Sequence, residues 1–186
     1  MITTSLTGID LRFETAESLF SPRTIDQGTL AMLSAIELQP ADKVLDLGCG
    51  YGVVGILAAR LIGAQRVTMV DNDPVAIEFA KANAALNYVA GVRIVQSDGF
   101  ANLNESGFTK IICHPPYHVD FSVPKAFIEK GFNRLAMGGR LYMVTKRLDW
   151  YKNKIAAIFG GVVVQEIDGY FVFMAERRSP RYASKR

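Results

Sequence analysis

The sequence is short of the residues that staple or ligate. Its 186 positions hold two cysteines, Cys49 and Cys113, and two histidines, His114 and His118. Too few of these lie at ligand spacing for a structural zinc site, so both cysteines are expected as reduced thiols and no metal is expected. No uncharged run is long enough to span a bilayer, and Met1 to Asp10 carries neither a basic leader nor the apolar core of a signal peptide. A cytoplasmic protein with no membrane partner is expected. Internal repeats, low-complexity segments and Gly/Ser-rich linkers are all missing. With 49% hydrophobic and 21% charged residues, the length suits one globular domain over residues 1–186. Within it, residues 1–40 read as a strand and helix leading in, and residues 176–186 as a basic tail.

Charge is unevenly spread. Met1 to Gly139 holds 11 Lys and Arg against 14 Asp and Glu, a net −3, whereas Arg140 to Arg186 holds 10 against 4, a net +6. A basic C-terminal part suits a polyanion, because clustered cations displace counterions from phosphates; a solvated surface with a frayed tail from Arg177 onward explains the count equally well.

Hydrophobic patterning alternates between strand and helix. Ile9 to Phe13 interleaves apolar and charged residues as a short edge strand would. Asp26 can cap a helix with Leu30, Leu33 and Ile36 inward that stops before Pro40. Lys43 to Leu47 is a buried strand, Gly52 to Ile62 a helix, and Arg66 to Val70 a second strand. Asp73 and Pro74 then open a helix that reaches about Leu86, with Asn87 at its stop. Strands over Val92 to Gln96 and Lys110 to Cys113 follow. A helix from Pro124 to Met137, with Phe127, Ile128, Phe132 and Leu135 inward, is expected to end at Gly138-Gly139. After it come a strand over Leu141 to Thr145, a helix over about Trp150 to Phe159, and a hairpin turning at Asp168-Gly169. The order predicts an α/β fold: a Rossmann-like, seven-stranded, mostly parallel sheet with helices on both faces and a C-terminal antiparallel hairpin.

In such sheets ligands bind outside the carboxyl ends of the strands. Four strand ends here carry chemistry. Gly50, Gly52 and Gly55 satisfy the dinucleotide pattern G-x-G-x-x-G, with Asp71 near the spacing of a ribose-binding acid, so an NAD-dependent oxidoreductase is one reading. Two features pull away from it. Asp46 puts a carboxylate where a cationic amine is welcome and a pyrophosphate is repelled. The turn His114-Pro115-Pro116-Tyr117 has no use in hydride transfer. Cys49 reads as a space-filler, because no local base or cation activates its thiol.

These residues together resemble the class I S-adenosylmethionine-dependent methyltransferases, specifically the "methyltransferase small" group that includes the RsmC-like ribosomal RNA guanine-N2 enzymes. Phe20-Ser21, Asp26-Gln27-Gly28-Thr29, Asp46-Leu47-Gly48-Cys49-Gly50, Pro115-Pro116-Tyr117-His118 and the final hairpin carry the resemblance over nearly the whole chain. It implies that Asp46 with Gly48, Cys49 and Gly50 holds the methionine part of the cofactor. Asp71, with Asn72, would hold the ribose, and Asp98, with Gly99, the adenine amino group. Carboxylates suit both tasks, since they accept strongly from hydroxyl and exocyclic N–H donors.

The turn resembles the family's Asn/Asp-Pro-Pro-aromatic motif, which methylates nitrogens conjugated to a π system. His114, Pro115, Pro116 and Tyr117 are the catalytic candidates. A side-chain acceptor and a main-chain carbonyl hold both N–H groups and localise the lone pair, while the aromatic ring stacks on the substrate. The chain departs from the motif at His114, where Asn or Asp is usual; a neutral imidazole accepts one hydrogen bond and a protonated one accepts none. His118, Lys146 and Arg147 are candidates for substrate binding, the two cations toward phosphates. Guanine N2 of ribosomal RNA is the leading acceptor. A protein glutamine amide and a non-catalytic RNA-binding module of the same fold are the alternatives.

Overall fold

A computed structural model describes residues 1–116 and 120–183 of the chain. In order its elements are β1 (Ile2–Leu6), β2 (Ile9–Phe13), α1 (Gln27–Ser34), β3 (Val44–Leu47), α2 (Val53–Ile62), β4 (Val67–Asp71), α3 (Pro74–Leu86), β5 (Arg93–Gln96), β6 (Phe108–Cys113), α4 (Ser122–Arg134), β7 (Leu135–Thr145), α5 (Asp149–Phe159), β8 (Val163–Ile167) and β9 (Tyr170–Glu176). Seven strands form one mostly parallel sheet in the order β5-β4-β3-β6-β7-β9-β8, and β1 pairs with β2 in a separate two-stranded sheet. The expected α/β architecture with its antiparallel C-terminal hairpin is therefore present. Among the described residues no helix is long and apolar enough to cross a membrane. The chain divides into two compact units, Met1–Asp26 with Glu37–Leu103, and Gln27–Ile36 with Asn104–Arg186.

In the first unit β3, β4 and β5 run parallel, with Leu47 beside Val70 and Val70 beside Val95. Val44, Leu45, Leu47, Val67, Met69 and Val70 are buried, as continuous apolar runs are in parallel sheets. Helix α3 begins as its sequence dictates. The Asp73 side chain accepts from Val75 N, and Pro74 occupies the first turn, where its missing N–H costs nothing.

Ile9–Phe13 is a strand, but it pairs with β1 rather than forming an edge of the main sheet. Thr7 (φ 50°) and Gly8 (φ 78°) make the tight turn between the two strands. Its other side is closed by two side chains of α3. Asn83 accepts from Glu14 N (2.7 Å) and donates to Glu14 O (2.9 Å). Asn87 accepts from Arg12 N (3.0 Å) and donates to Arg12 O (2.7 Å). Spaced by four residues, the two carboxamides match Arg12 in β2 and Glu14 just past its end, and stand in for a neighbouring strand.

In the second unit β6 and β7 are parallel, while β7, β9 and β8 are antiparallel. Asp168 (φ 50°) and Gly169 (φ 77°) form the expected hairpin turn. Two expectations are corrected here. Helix α4 ends at Arg134, not Met137, and Gly138-Gly139 lies inside β7 rather than stopping a helix. The register against β6 shifts between Phe108 and Lys110, so the segment bulges. Gly138 takes φ +78°, and a Cβ on Gly139 would stand 2.7 Å from the Phe108 carbonyl oxygen. The glycines serve a bulge, which a local reading cannot tell from a helix end.

Helix α1 is rotated from its expected face: Gly28, Thr29, Ala31 and Met32 are buried, whereas Leu30, Leu33 and Ile36 are half-buried. The basic C-terminal stretch is not frayed as far as Tyr182. Arg177 donates to the Leu135 carbonyl and lies 4.9 Å over the Phe132 ring, and the Tyr182 hydroxyl donates to Glu129 O at 2.9 Å. Part of the C-terminal positive charge is thus engaged in packing.

Candidate active site

In the first unit the carboxyl ends of β3, β4 and β5 carry Asp46, the glycine loop, Asp71 and Asp98. The loop continues the parallel ladder, since Gly48 N and Cys49 N both donate to Val70 O (2.8 and 2.9 Å). It then turns through Gly48 (φ 79°) and Gly50 (φ 54°), and a Cβ at either position would meet nothing within 4 Å. Such a loop leaves its main chain open to a ligand.

Two strand-end carboxylates hold this loop and the helix behind it. Asp71 accepts from Gly50 N (2.8 Å) through one oxygen and from Asp73 N (3.0 Å) through the other. Asp46, 3% exposed, accepts from Gly55 N at 2.8 Å. Gly52 cannot cap α2 with a side chain, and Asp46 takes over one of the helix's unpaired amides from across the fold. Burial pushes the Asp46 carboxyl up to about 7, with the Gly55 amide working against the rise and Asp71 adding to it. A buried carboxyl held near neutrality gains most from an arriving cation. A Cβ on Gly55 would stand 2.4 Å from Met69 Cγ and 3.1 Å from Asp46 Oδ2, so glycine is required there too.

The remaining cofactor candidates lie around this core. Asn72 is exposed, and its carbonyl accepts from Gln96 Nε2 at 3.3 Å. Asp98 is exposed at the end of β5 and its carbonyl closes a turn with Ala101 N, while Gly99 takes φ 54°. Cys49 is buried, and its thiol is pushed up by burial and by the charges of Asp46 and Asp71, so it stays protonated and fills space. These groups match an elongated ligand with a cationic end and hydroxyl or amino donors further along.

The second unit carries the acceptor candidates, at the carboxyl ends of β6 and β7. His114 follows β6 directly and is half-buried, with Nδ1 3.0 Å from Thr29 Oγ1. Pro115 is buried and Pro116 exposed, while Tyr117 and His118 lie outside the described residues. A Cβ on Gly28 would stand 2.6 Å from Tyr170 Cε1 and 2.9 Å from His114 Cε1, so one turn of α1 packs against both rings. Lys146 Nζ sits 4.8 Å from the Tyr170 ring centroid, which brings Lys146 into the same neighbourhood. Arg147 stands 5.3 Å from the Phe121 ring, itself stacked on Trp150 at 4.3 Å. Among the described residues no three His, Cys, Asp or Glu side chains gather as metal ligands would.

Several participants escape a reading of the sequence. Tyr51 reaches back to the N-terminal segment, its hydroxyl donating to Ser21 O at 3.3 Å, and its phenol is pushed up to about 12 by burial and then by Asp26. Asn83 donates to the Tyr51 carbonyl at 2.9 Å, tying the glycine loop to the same clamp that holds β2. The one available signal was two asparagines, poor helix formers, four apart inside a helix. Thr29 and Tyr170 lie in stretches that carry the family resemblance, but their contacts with His114 and Gly28 arise only through the fold.

The chain is similar to known proteins in sequence and fold. Residues 10–174 match the methyltransferase small domain. The chain is 29% identical over 174 residues to the uncharacterized protein YbxB of Bacillus subtilis, covering 90% of this chain and 87% of that one. It is 30% identical over 183 residues to the ribosomal RNA small subunit methyltransferase C of Serratia proteamaculans, covering 95% of this chain and 52% of the relative. Among solved structures, the 16S rRNA N2-guanine methyltransferase RsmC of T. thermophilus, in complex with AdoMet and guanosine, superposes with a TM-score of 0.81 at 26% identity. That match covers 95% of this chain and 50% of the other. The chain thus spans about half the length of these ribosomal RNA enzymes. A match over residues 10–174 shows the family: the chain belongs to the methyltransferase small domain family of S-adenosylmethionine-dependent enzymes.

Proposed function

We propose that residues 1–186 act as one catalytic domain that transfers a methyl group from S-adenosylmethionine to a planar conjugated amine, with guanine N2 of ribosomal RNA as the acceptor. The observation that carries the cofactor assignment is Asp46, a buried carboxyl raised to about 7 beside a glycine loop with open space over its main chain. Asp46 and the loop would receive the ammonium and carboxylate end, Asp71 the ribose hydroxyls, and Asp98 the adenine amine. When bound, the cofactor supplies an electrophilic methyl group on a sulfonium. The acceptor assignment is supported by the likeness to the T. thermophilus enzyme solved with guanosine. An RNA substrate of this kind places the work in the cytoplasm.

The chain's own contribution is to make a poor nucleophile attack. The exocyclic amine of guanine shares its lone pair with the ring. His114 accepts one N–H and a main-chain carbonyl of the turn accepts the other, which favours a pyramidal nitrogen. Methyl transfer would make an N–C bond in exchange for the S–C bond of the bound cofactor, which would leave as the thioether. The nitrogen, now cationic and acidic, releases its proton to water or to the imidazole, so no strong base is required. Tyr117 stacks on the purine, and Lys146 and Arg147 meet flanking phosphates.

Two measurements test the reading. Calorimetry should give micromolar binding of S-adenosylhomocysteine and no heat with NAD; the reverse would replace the methyltransferase reading with a dinucleotide one. Methyl-tritium transfer to undermodified ribosomal RNA, followed by nucleoside analysis, should yield N2-methylguanosine. His114→Ala should abolish that transfer without changing cofactor affinity. Label recovered in methylglutamine instead would move the acceptor from RNA to protein.

A further inference from the structure

Helix α1 meets the acceptor turn at two adjacent residues. Gly28 leaves room for the edge of the His114 ring, whose Cε1 would be 2.9 Å from a Cβ there. One residue on, the buried Thr29 sets its hydroxyl 3.0 Å from His114 Nδ1. An imidazole is an ambiguous hydrogen-bonding group. Flipping it about χ2 exchanges a nitrogen for a C–H, and its two tautomers exchange donor for acceptor. The Thr29 hydroxyl resolves the flip, because the reversed ring would present Cδ2–H to it. It can also hold a single tautomer: a hydroxyl both donates and accepts, but once its own proton is committed to one direction, the bond at Nδ1 sets the proton on Nε2.

We propose that Thr29 is a positioning residue for the acceptor turn: it fixes the flip and tautomer of His114 and so decides how the imidazole meets the acceptor amine. Thr29 itself touches no substrate and acts through His114. The inference rests on His114 being an acceptor contact. It gives α1 a part in the chemistry, since one helical turn supplies both the notch at Gly28 and the hydroxyl at Thr29.

The chain has only two histidines, so the full-length protein labelled with 15N-histidine yields two imidazole patterns, which His114→Asn separates. Wild type and Thr29→Ser should show the two His114 nitrogens widely split, as one tautomer requires. Thr29→Val should bring them toward an average. In methyl transfer, Thr29→Val should lower kcat about tenfold to a hundredfold, the scale of a weakened hydrogen bond to a group that gains charge in the transition state. S-adenosylhomocysteine affinity should not change, and Thr29→Ser should restore most of the rate. In the His114→Asn background the same Val substitution should cost less than about twofold, because coupled residues are not additive. Unchanged His114 shifts in Thr29→Val, or an equal rate loss in both backgrounds, would overturn the proposal. Should the Val variant fail to fold, loss of the single tautomer in Thr29→Ser would overturn it equally. The spectrum needs no acceptor, so a wrong acceptor assignment, visible as no transfer by wild type, is distinguished from a wrong role for Thr29.

Discussion

The two compact units are built from different materials. Around the glycine loop, side-chain carboxylates bond to main-chain amides: Asp46 to Gly55, and Asp71 to Gly50 and Asp73. Around His114, side chains meet side chains: a hydroxyl on an imidazole, an ammonium over Tyr170, a guanidinium over a stacked Phe121 and Trp150. Main-chain geometry tolerates little variation, because the amides of Gly48, Cys49, Gly50 and Gly52 are each committed to a fixed acceptor. A ring-and-cation surface can be rebuilt one residue at a time. The difference suits the roles proposed for the two units, a fixed cofactor for the first and a selectable acceptor for the second.

The strongest test of this contrast is Asp46→Asn. Loss of the charge should weaken S-adenosylhomocysteine about a hundredfold, the scale of a lost charged hydrogen bond. The free protein should nevertheless gain stability. Because Asp46 is raised to about 7, the folded chain keeps a proton that the unfolded chain gives up near 4. That contribution is whole below about pH 4 and is lost as pH climbs through about 7, leaving a penalty of up to ~4 kcal/mol that Asn removes. Thermal melts at pH 8 should show a higher midpoint for the variant, and a lower midpoint with intact binding would sink the account.

Next in size is a matched pair of glycine substitutions. Gly55→Ala presses on Met69 and Asp46, and Gly28→Ala presses on Tyr170 and His114. Each overpacks by about 2 kcal/mol, roughly thirtyfold. The first should appear in cofactor affinity alone and the second in kcat alone; if either variant moved both quantities equally, the two regions would not be separable in this way. Smaller again is a pH effect on binding. Only the ionised carboxylate attracts an ammonium, so cofactor affinity should rise about tenfold between pH 6 and pH 8, and a flat titration in wild type would argue against Asp46 as the cation's partner. The smallest effects belong to Lys146→Ala and Arg147→Ala. Each should weaken RNA binding by about threefold and flatten its salt dependence by about one phosphate, with cofactor affinity untouched.

Legibility in the sequence followed the same division. The glycine loop, the Asp73-Pro74 helix start and the Asp168-Gly169 turn are local devices, each specified by neighbouring residues, and each forms where its residues predict. β1 is not legible locally because Thr7-Gly8 is a weak turn signal, although both residues take positive φ. Gly138-Gly139 looks locally like a helix stop because a bulge depends on the register against β6, which lies elsewhere in the chain. The Thr29–His114 contact joins positions 85 residues apart. His114 could be singled out from its turn, but the hydroxyl that holds it could not, since nothing local to α1 requires Thr29 to face inward. Tyr117 and His118, the acceptor candidates next in line, lie outside the described residues.

The asparagine clamp has a practical consequence. Asn83 and Asn87 grip β2 only by its peptide groups, so they are indifferent to which side chains Arg12 and Glu14 carry, and both of those residues point to solvent. The same Asn83 holds the carbonyl of Tyr51 beside the glycine loop. A fluorophore attached at position 12 or 14 would therefore be coupled to the glycine loop through Asn83 while leaving the main-chain bonds of the clamp in place. The N-terminal hairpin is, in effect, a ready-made handle from which to watch that loop.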